Sequence, residues 1–147
     1  MPSYTRTTWV NGTTPANATN LNNIESQLAS VQFGMNIITP FQLANNTSIS
    51  SGATTTYTCT GVGGVPSGAV AVFVSGQFTA SAINTQALFT PHSVTWNNDN
   101  YPSVNAQVAS ITTFAFMLPL SVSGQIDVKS TTGNMTAFFL WMYAYVF

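Results

Sequence analysis

The chain has 147 residues, of which only five are charged, and its net charge at pH 7 is −1. Charged residues make up 3% of the sequence, against roughly 25% of an ordinary soluble domain. Nucleic-acid binding requires several cations on phosphates, and two cationic residues cannot supply them, so the composition argues against that class of partner. The longest apolar run, residues 135–147, is shorter than the roughly 20 residues that span a bilayer, and we expect no membrane insertion.

The reactive side chains are too few for the common enzyme mechanisms. Paired-carboxylate hydrolysis needs two converging acids and a metal site needs three or four ligands, whereas this chain has three dispersed acids, one histidine and one cysteine. His92 could be combined with Asp99 in a triad, but no serine has the surroundings of a nucleophile, and we expect His92 to be a turn residue. We therefore predict a non-enzymatic protein with no catalytic residue, metal or cofactor.

The polarity of the chain comes from Thr, Ser, Asn and Gln. A surface of hydroxyls and amides suits a protein that packs against copies of itself, because a free monomer relies on surface charge for solubility. A secreted carbohydrate-binding module could share this composition. The N-terminus has no apolar stretch typical of a signal peptide, which disfavours a secreted adhesion module and predicts synthesis in a cytoplasm. The single cysteine, Cys59, can form no internal disulfide, and we expect it to be a small buried hydrophobe.

Residues 13–34 predict the only helix. Thr13 or Thr14 can act as N-cap, Pro15 is tolerated in the first turn, and Gly34 ends the helix. Apolar residues recur at spacings of 3, 4 and 3, which is the narrow seam of a coiled coil and favours a trimer or tetramer. The alternative is a helix packed on its own β domain. The seam residues are Leu21, Ile24, Leu28 and Val31.

Residues 41–147 predict one β domain after an N-terminal segment of residues 1–40. Thr, Val, Ile and aromatic residues dominate, with Gly, Pro and Asn turns at short intervals. Eight short strands without intervening helices indicate an antiparallel β-sandwich or jelly roll. Residues 130–134 predict a turn that joins the last two strands into a hairpin. The predicted strands are residues 42–48, 54–60, 69–75, 86–90, 93–96, 110–118, 124–129 and 136–147.

The final predicted strand is apolar on both faces. Its even positions are aliphatic or aromatic, and its odd positions form an aromatic ladder. One reading is a central strand that its own chain covers on both sides. The other, which we favour, is that one face fills the core and the other fills a subunit interface, because an exposed ladder would be a large apolar patch. The interface residues would be Phe139, Trp141, Tyr143 and Tyr145.

The loop at residues 96–101 is the best candidate for recognition of a host-surface glycan. Aromatic rings can stack on the apolar face of a sugar while amides and carboxylates bind its hydroxyls. A loop rich in Asn and Asp is also the commonest connection between strands, and we weigh a plain connection above glycan contact. The candidate contacts are Trp96, Asn97, Asn98, Asp99 and Tyr101.

Residues 7–28, TTWVNGTTPANATNLNNIESQL, resemble the attachment segment that opens many bacteriophage tail-appendage and fibre proteins. That pattern is a Trp, a polar turn with Gly, Thr-Pro, and an Asn-Leu-Asn-x-Ile-Glu helix start. The resemblance implies a homotrimeric virion protein that contacts other virion proteins through Trp9 and Pro15 and carries a β-structured head. The matching residues are Trp9, Gly12, Pro15, Ala18, Asn20, Leu21, Asn22, Ile24 and Glu25.

Together these observations predict a structural protein of a bacteriophage particle, made in the host cytoplasm and located in the virion. It would be a small homotrimeric decoration, fibre or minor tail subunit. The alternative is a receptor-binding head of a tail appendage that recognises glycans.

Overall fold

The computed structural model describes residues 34–95 and 101–147, which form eight β-strands and no helix. All of the predicted helix except Gly34 lies outside the described residues, so the helix stays a prediction. The strands are β1 (Met35–Ile49), β2 (Thr54–Thr58), β3 (Ala71–Ala80), β4 (Gln86–Pro91), β5 (Ser103–Asn105), β6 (Ile111–Pro119), β7 (Gln125–Thr131) and β8 (Met135–Val146).

The strands pair in a nested antiparallel order. Strand β1 pairs with β8, β2 with β7, β3 with β6 and β4 with β5. This ladder is folded into two four-stranded sheets, a first sheet of order β1-β8-β3-β6 and a second of order β2-β7-β4-β5. The predicted antiparallel β-sandwich is confirmed for the described residues, and the nested pairing is that of a jelly roll.

The two ends of the sandwich carry different connections. At the end where β1 begins, called the Met35 end, lie the β2–β3, β4–β5 and β6–β7 connections and the last residues of β8. At the opposite end, called the Ile49 end, lie the β1–β2, β3–β4, β5–β6 and β7–β8 connections. The N-terminal residues therefore join the sandwich at the Met35 end.

Three sequence predictions about strands were wrong. Residues 93–95 form no strand, because Ser93 adopts a φ of 66° in a turn directly after β4. The three-residue strand β5 was missed, since it is too short to show an alternating pattern. Strand β1 begins at Met35 and runs through Pro40, which an edge strand tolerates because its outer N–H groups need no partner.

The last two strands do not form the predicted hairpin. Strand β7 pairs with β2 and β4 in the second sheet, whereas β8 pairs with β1 and β3 in the first. The short turn between them therefore crosses from one sheet to the other. A tight turn after an alternating strand does not show whether the next strand pairs with it in the same sheet or crosses to the other sheet.

The core fills the space between the sheets with aliphatic and aromatic side chains. Phe89 of β4 is fully buried, and its ring centroid lies 4.9 Å from each of the Phe114 and Phe116 rings of β6. These contacts join the second sheet to the first. Gly76 in the middle of β3 leaves room for this packing, because a Cβ there would collide with the Phe114 ring and the Phe139 carbonyl.

Removing the central ring of this cluster should destabilise the fold. We expect Phe89→Ala to lower the free energy of unfolding by about 3–5 kcal/mol, because it leaves a cavity between the sheets. The measurement is chemical denaturation followed by tryptophan fluorescence. Ile83→Ala, at a side chain that is 61% exposed, should change it by less than about 0.5 kcal/mol. Equal effects of the two substitutions would contradict the assigned core.

Cys59 is fully buried in the core, as the sequence predicts, and burial raises the pKa of its thiol from 9.0 to about 12. The folded state therefore holds the thiol proton more tightly than the unfolded state does. This contribution to stability is present below pH 9 and is lost as pH rises from 9 towards 12.

Comparison with Cys59→Ala isolates this effect, since the two proteins share every other ionisable side chain. We expect the denaturation midpoint of the wild type to fall more steeply between pH 9 and pH 12 than that of the variant. Parallel curves would show that the thiol has an ordinary pKa in the folded protein.

Candidate functional site: the outer face of the first sheet

The outer face of the first sheet is formed by one set of alternating side chains from each of its strands. In β3 the outward residues are half-buried while every second residue is buried in the core. Cα partners in an antiparallel pair share a face, so Phe73 lies beside Met117 of β6 and Ser75 lies beside Trp141 of β8. This face of the sheet is covered by no other described strand.

Strand β8 supplies two side chains to the centre of this face. The rings of Phe139 and Trp141 stack with centroids 5.6 Å apart and an interplanar angle of 5°. Phe138, Leu140 and Met142 on the opposite side of the strand are fully buried. One face of β8 therefore fills the core, as predicted. Strand β8 also lies between two other strands of the sheet, as the alternative of a central strand predicted. The outward side chains of β8, Phe139 and Trp141, are only half-buried by their own chain.

A bulge at Tyr143 interrupts the predicted aromatic ladder. Phe73 is the Cα partner of Ala144 while Val74 is the partner of Met142, so Tyr143 has no partner on β3. Beyond it the faces exchange, and Tyr145 packs against the core instead of lying beside Trp141. The prediction that Tyr145 shares the outward face was wrong, because strict alternation does not survive a bulge.

The bulge also forms an apolar hollow of about 230 Å³. Met35 and Ile37 of β1, Phe73 of β3, and Tyr143 and Ala144 of β8 line it. Ile37 is 81% exposed, the highest value for any large side chain on this face. A hollow lined by aromatic and aliphatic groups beside a protruding isoleucine is the type of feature that anchors a protein–protein contact.

No charged residue lies in the first sheet. The charges within the described ranges, Asp127 and Lys129, both lie on β7 of the second sheet. Burying this face therefore requires no desolvation of an ion, which is the largest cost of covering a protein surface. Its polar members, such as Gln42, Ser75 and Gln77, are neutral and can form hydrogen bonds across a contact.

The remaining predicted site residues lie mostly outside the described residues. These are the attachment residues Trp9 and Pro15, the helix seam, and residues 96–99 of the candidate glycan loop. Tyr101 is half-buried just before β5. Four further residues of the first sheet's outer face were not predicted from the sequence: Met35, Ile37, Phe73 and Met117. The sequence feature that could have indicated Phe73 is its position between Val72 and Val74, since only residues 71–74 of β3 are apolar on both faces.

The outer face of the second sheet carries a polar cluster that the sequence did not predict. Asp127 is 8% exposed, and its Oδ1 accepts a hydrogen bond from Thr56 Oγ1 at 2.6 Å and lies 2.9 Å from His92 Nδ1. His92 follows β4 in a turn, as predicted, but its acidic neighbour is Asp127. The sequence feature that could have indicated this cluster is a lone aspartate between two apolar residues of a strand, Ile126 and Val128.

Within residues 34–95 and 101–147, no group of three or more His, Cys, Asp or Glu side chains could hold a metal ion. Over the same ranges, no helix is long and apolar enough to cross a membrane.

No model of a known protein family matches the chain, and no curated protein sequence matches it.

The hydrogen bond from Thr56 to the buried carboxylate should contribute to stability. We expect Thr56→Val to lower the free energy of unfolding by about 1 kcal/mol, because Asp127 loses one of its two donors. Thr54→Val is the matched control, since Thr54 is exposed on the same face of β2 and should tolerate the change within about 0.5 kcal/mol. Urea denaturation of both variants measures the difference, and equal midpoints would rule out this role.

Proposed function

We propose that this protein is a non-enzymatic structural subunit of a bacteriophage particle, a small decoration, fibre or minor tail component. It acts as a homotrimer whose subunits associate through the outer face of the first sheet. The observation that supports this most is that this face is aromatic, uncharged and left half-exposed by its own chain.

A second copy of the chain is the partner that fits this face. The face has no charge that would select a differently charged partner, and it combines a hollow with exposed aliphatic side chains. In a closed oligomer each copy contributes such features to a neighbour. The protruding Ile37 of one copy and the hollow beside Tyr143 of another are complementary in character. The predicted helix seam at Leu21, Ile24, Leu28 and Val31 would add a second contact among the same subunits.

Attachment to the particle is proposed for the N-terminal segment, through Trp9 and Pro15. This part of the proposal rests on the resemblance of residues 7–28 to bacteriophage attachment segments. The segment precedes β1, whose first residue lies at the Met35 end of the sandwich.

The alternative function is a receptor-binding head that recognises glycans through the loop at residues 96–101. Trp96→Ala with Tyr101→Ala distinguishes the two functions. Loss of adsorption to host cells with unchanged assembly supports the receptor-binding head, and unchanged adsorption removes it.

The solution mass tests the assembly. By light scattering during size exclusion we expect about 47 kDa, three times the 15.6 kDa of the chain, and no change in 1 M salt because the outer face of the first sheet carries no charged residue. Ile37→Asp should raise the apparent dissociation constant by about 100-fold or more, since it places a charge against an apolar hot spot. Dilution series of wild type and variant measure this shift.

Ile83→Asp is the control for that substitution. It places the same charge at an exposed isoleucine of the Ile49 end, away from the first sheet's outer face, and should leave the mass unchanged. A monomeric wild type would overturn the trimer. Indistinguishable dilution curves for the two variants would show that the subunits associate through another surface.

A further inference from the structure

We infer that an open depression on the second sheet's side of the Met35 end is a binding site for a neutral saccharide. The depression has a volume of about 670 Å³, within the range of roughly 300–1,000 Å³ of small-molecule sites. Its walls are residues 91–94, which comprise the last residue of β4 and the turn after it, and residues 120–123, which lie between β6 and β7. It lies apart from the outer face of the first sheet, so the inference does not depend on the proposed assembly.

Backbone hydrogen bonds hold both walls in place. The carbonyl of Gln125 accepts bonds from His92 N and Ser121 N, each at 3.1 Å, so both walls are tied to the first residue of β7. Within the second wall, Gly124 N donates to Ser121 O at 2.8 Å. A site whose walls are fixed before the ligand arrives loses little conformational entropy on binding.

The orientation of His92 gives the depression a defined acceptor. An ionised carboxylate is only an acceptor, so the Nδ1 that faces Asp127 carries the proton. In the neutral ring Nε2 is then an acceptor, and no described residue donates to it. The ring is half-exposed and lines the depression. Its Nε2 can therefore accept a hydrogen bond from a ligand, such as a sugar hydroxyl.

The opposite wall supplies hydroxyl oxygens as further acceptors, because the protons of Ser121 and Ser123 are used within the wall. Ser121 Oγ and Ser123 Oγ lie 2.9 Å apart, and Ser123 Oγ donates to Gln125 Oε1 at 2.9 Å. Val94, Leu120 and Val122 provide apolar contacts beside these hydroxyls. Sugars present the same mixture, with hydroxyls around the ring edge and C–H groups on its faces.

Charge excludes the other common small ligands. The two walls contain no Lys or Arg to neutralise a phosphate or carboxylate, and the carboxylate of Asp127 is nearly buried and engaged by Thr56 and His92. A cationic ligand would therefore find no accessible counter-ion in these walls. A neutral polyhydroxylated ring matches the acceptors and the apolar groups together, since its hydroxyls donate and its C–H faces are apolar.

Saturation-transfer NMR on the full chain tests the site. The probes are maltose, lactose, N,N′-diacetylchitobiose and methyl α-L-rhamnoside, with galacturonate as an anionic comparison. We expect transfer to at least one neutral sugar and weaker transfer to galacturonate. Absence of transfer to all four neutral sugars overturns the inference.

Two variants locate the binding. Ser123→Trp fills the depression and should abolish transfer, whereas Ser51→Trp makes the same change at an exposed turn of the Ile49 end and should preserve it. His92→Phe should weaken binding about tenfold, which is the effect of one lost hydrogen bond. Equal transfer in the two tryptophan variants would place the sugar elsewhere and overturn the site. None of these outcomes alters the mass measured for the trimer test.

Discussion

Strand β8 is apolar on both faces, and this constraint organises the molecule. Its backbone pairs on both sides, with β1 and β3, so it occupies the centre of the first sheet. Phe138, Leu140 and Met142 on one face fill the core between the sheets. A two-layer sandwich has no third layer to cover the other face, and Phe139 and Trp141 remain half-exposed. The proposal that a second copy covers them follows from this geometry.

The two outer faces of the sandwich have different chemistry. The first sheet presents aromatic, aliphatic and neutral polar side chains, whereas the second presents threonines and the Asp127–His92 pair. The apolar face of the first sheet is suited to burial in a subunit contact, and the polar face of the second sheet is suited to contact with water. The proposed association and the proposed saccharide site therefore use separate surfaces. Association through one sheet leaves the other accessible to solvent and to a ligand.

The sequence predicted the β-sandwich and located seven of its eight strands, because alternation and turn residues are local signals. Strand β1 begins seven residues before its predicted start, and β3 ends five residues after its predicted end. It could not predict the bulge at Tyr143, which depends on the register with β1 and β3, strands far away in the chain. The hollow and the Thr56–Asp127–His92 cluster were missed for the same reason. Their members come from different strands and become neighbours only through the nested pairing.

The nested pairing also has a consequence for how the chain folds. Strand β8 pairs with β1 across 86 residues at Ile49–Met135 and 111 residues at Met35–Val146, and contacts of such sequence separation form slowly. Its twelve residues contain no charge, glycine or proline, which is the composition of an aggregation-prone segment while it is unpaired. During synthesis β8 leaves the ribosome after β1 and β3, so both of its partners are already present. When the whole chain is diluted from denaturant, its strands become available at the same time. The aggregation-prone strand β8 is then exposed before its partners β1 and β3 have paired with it.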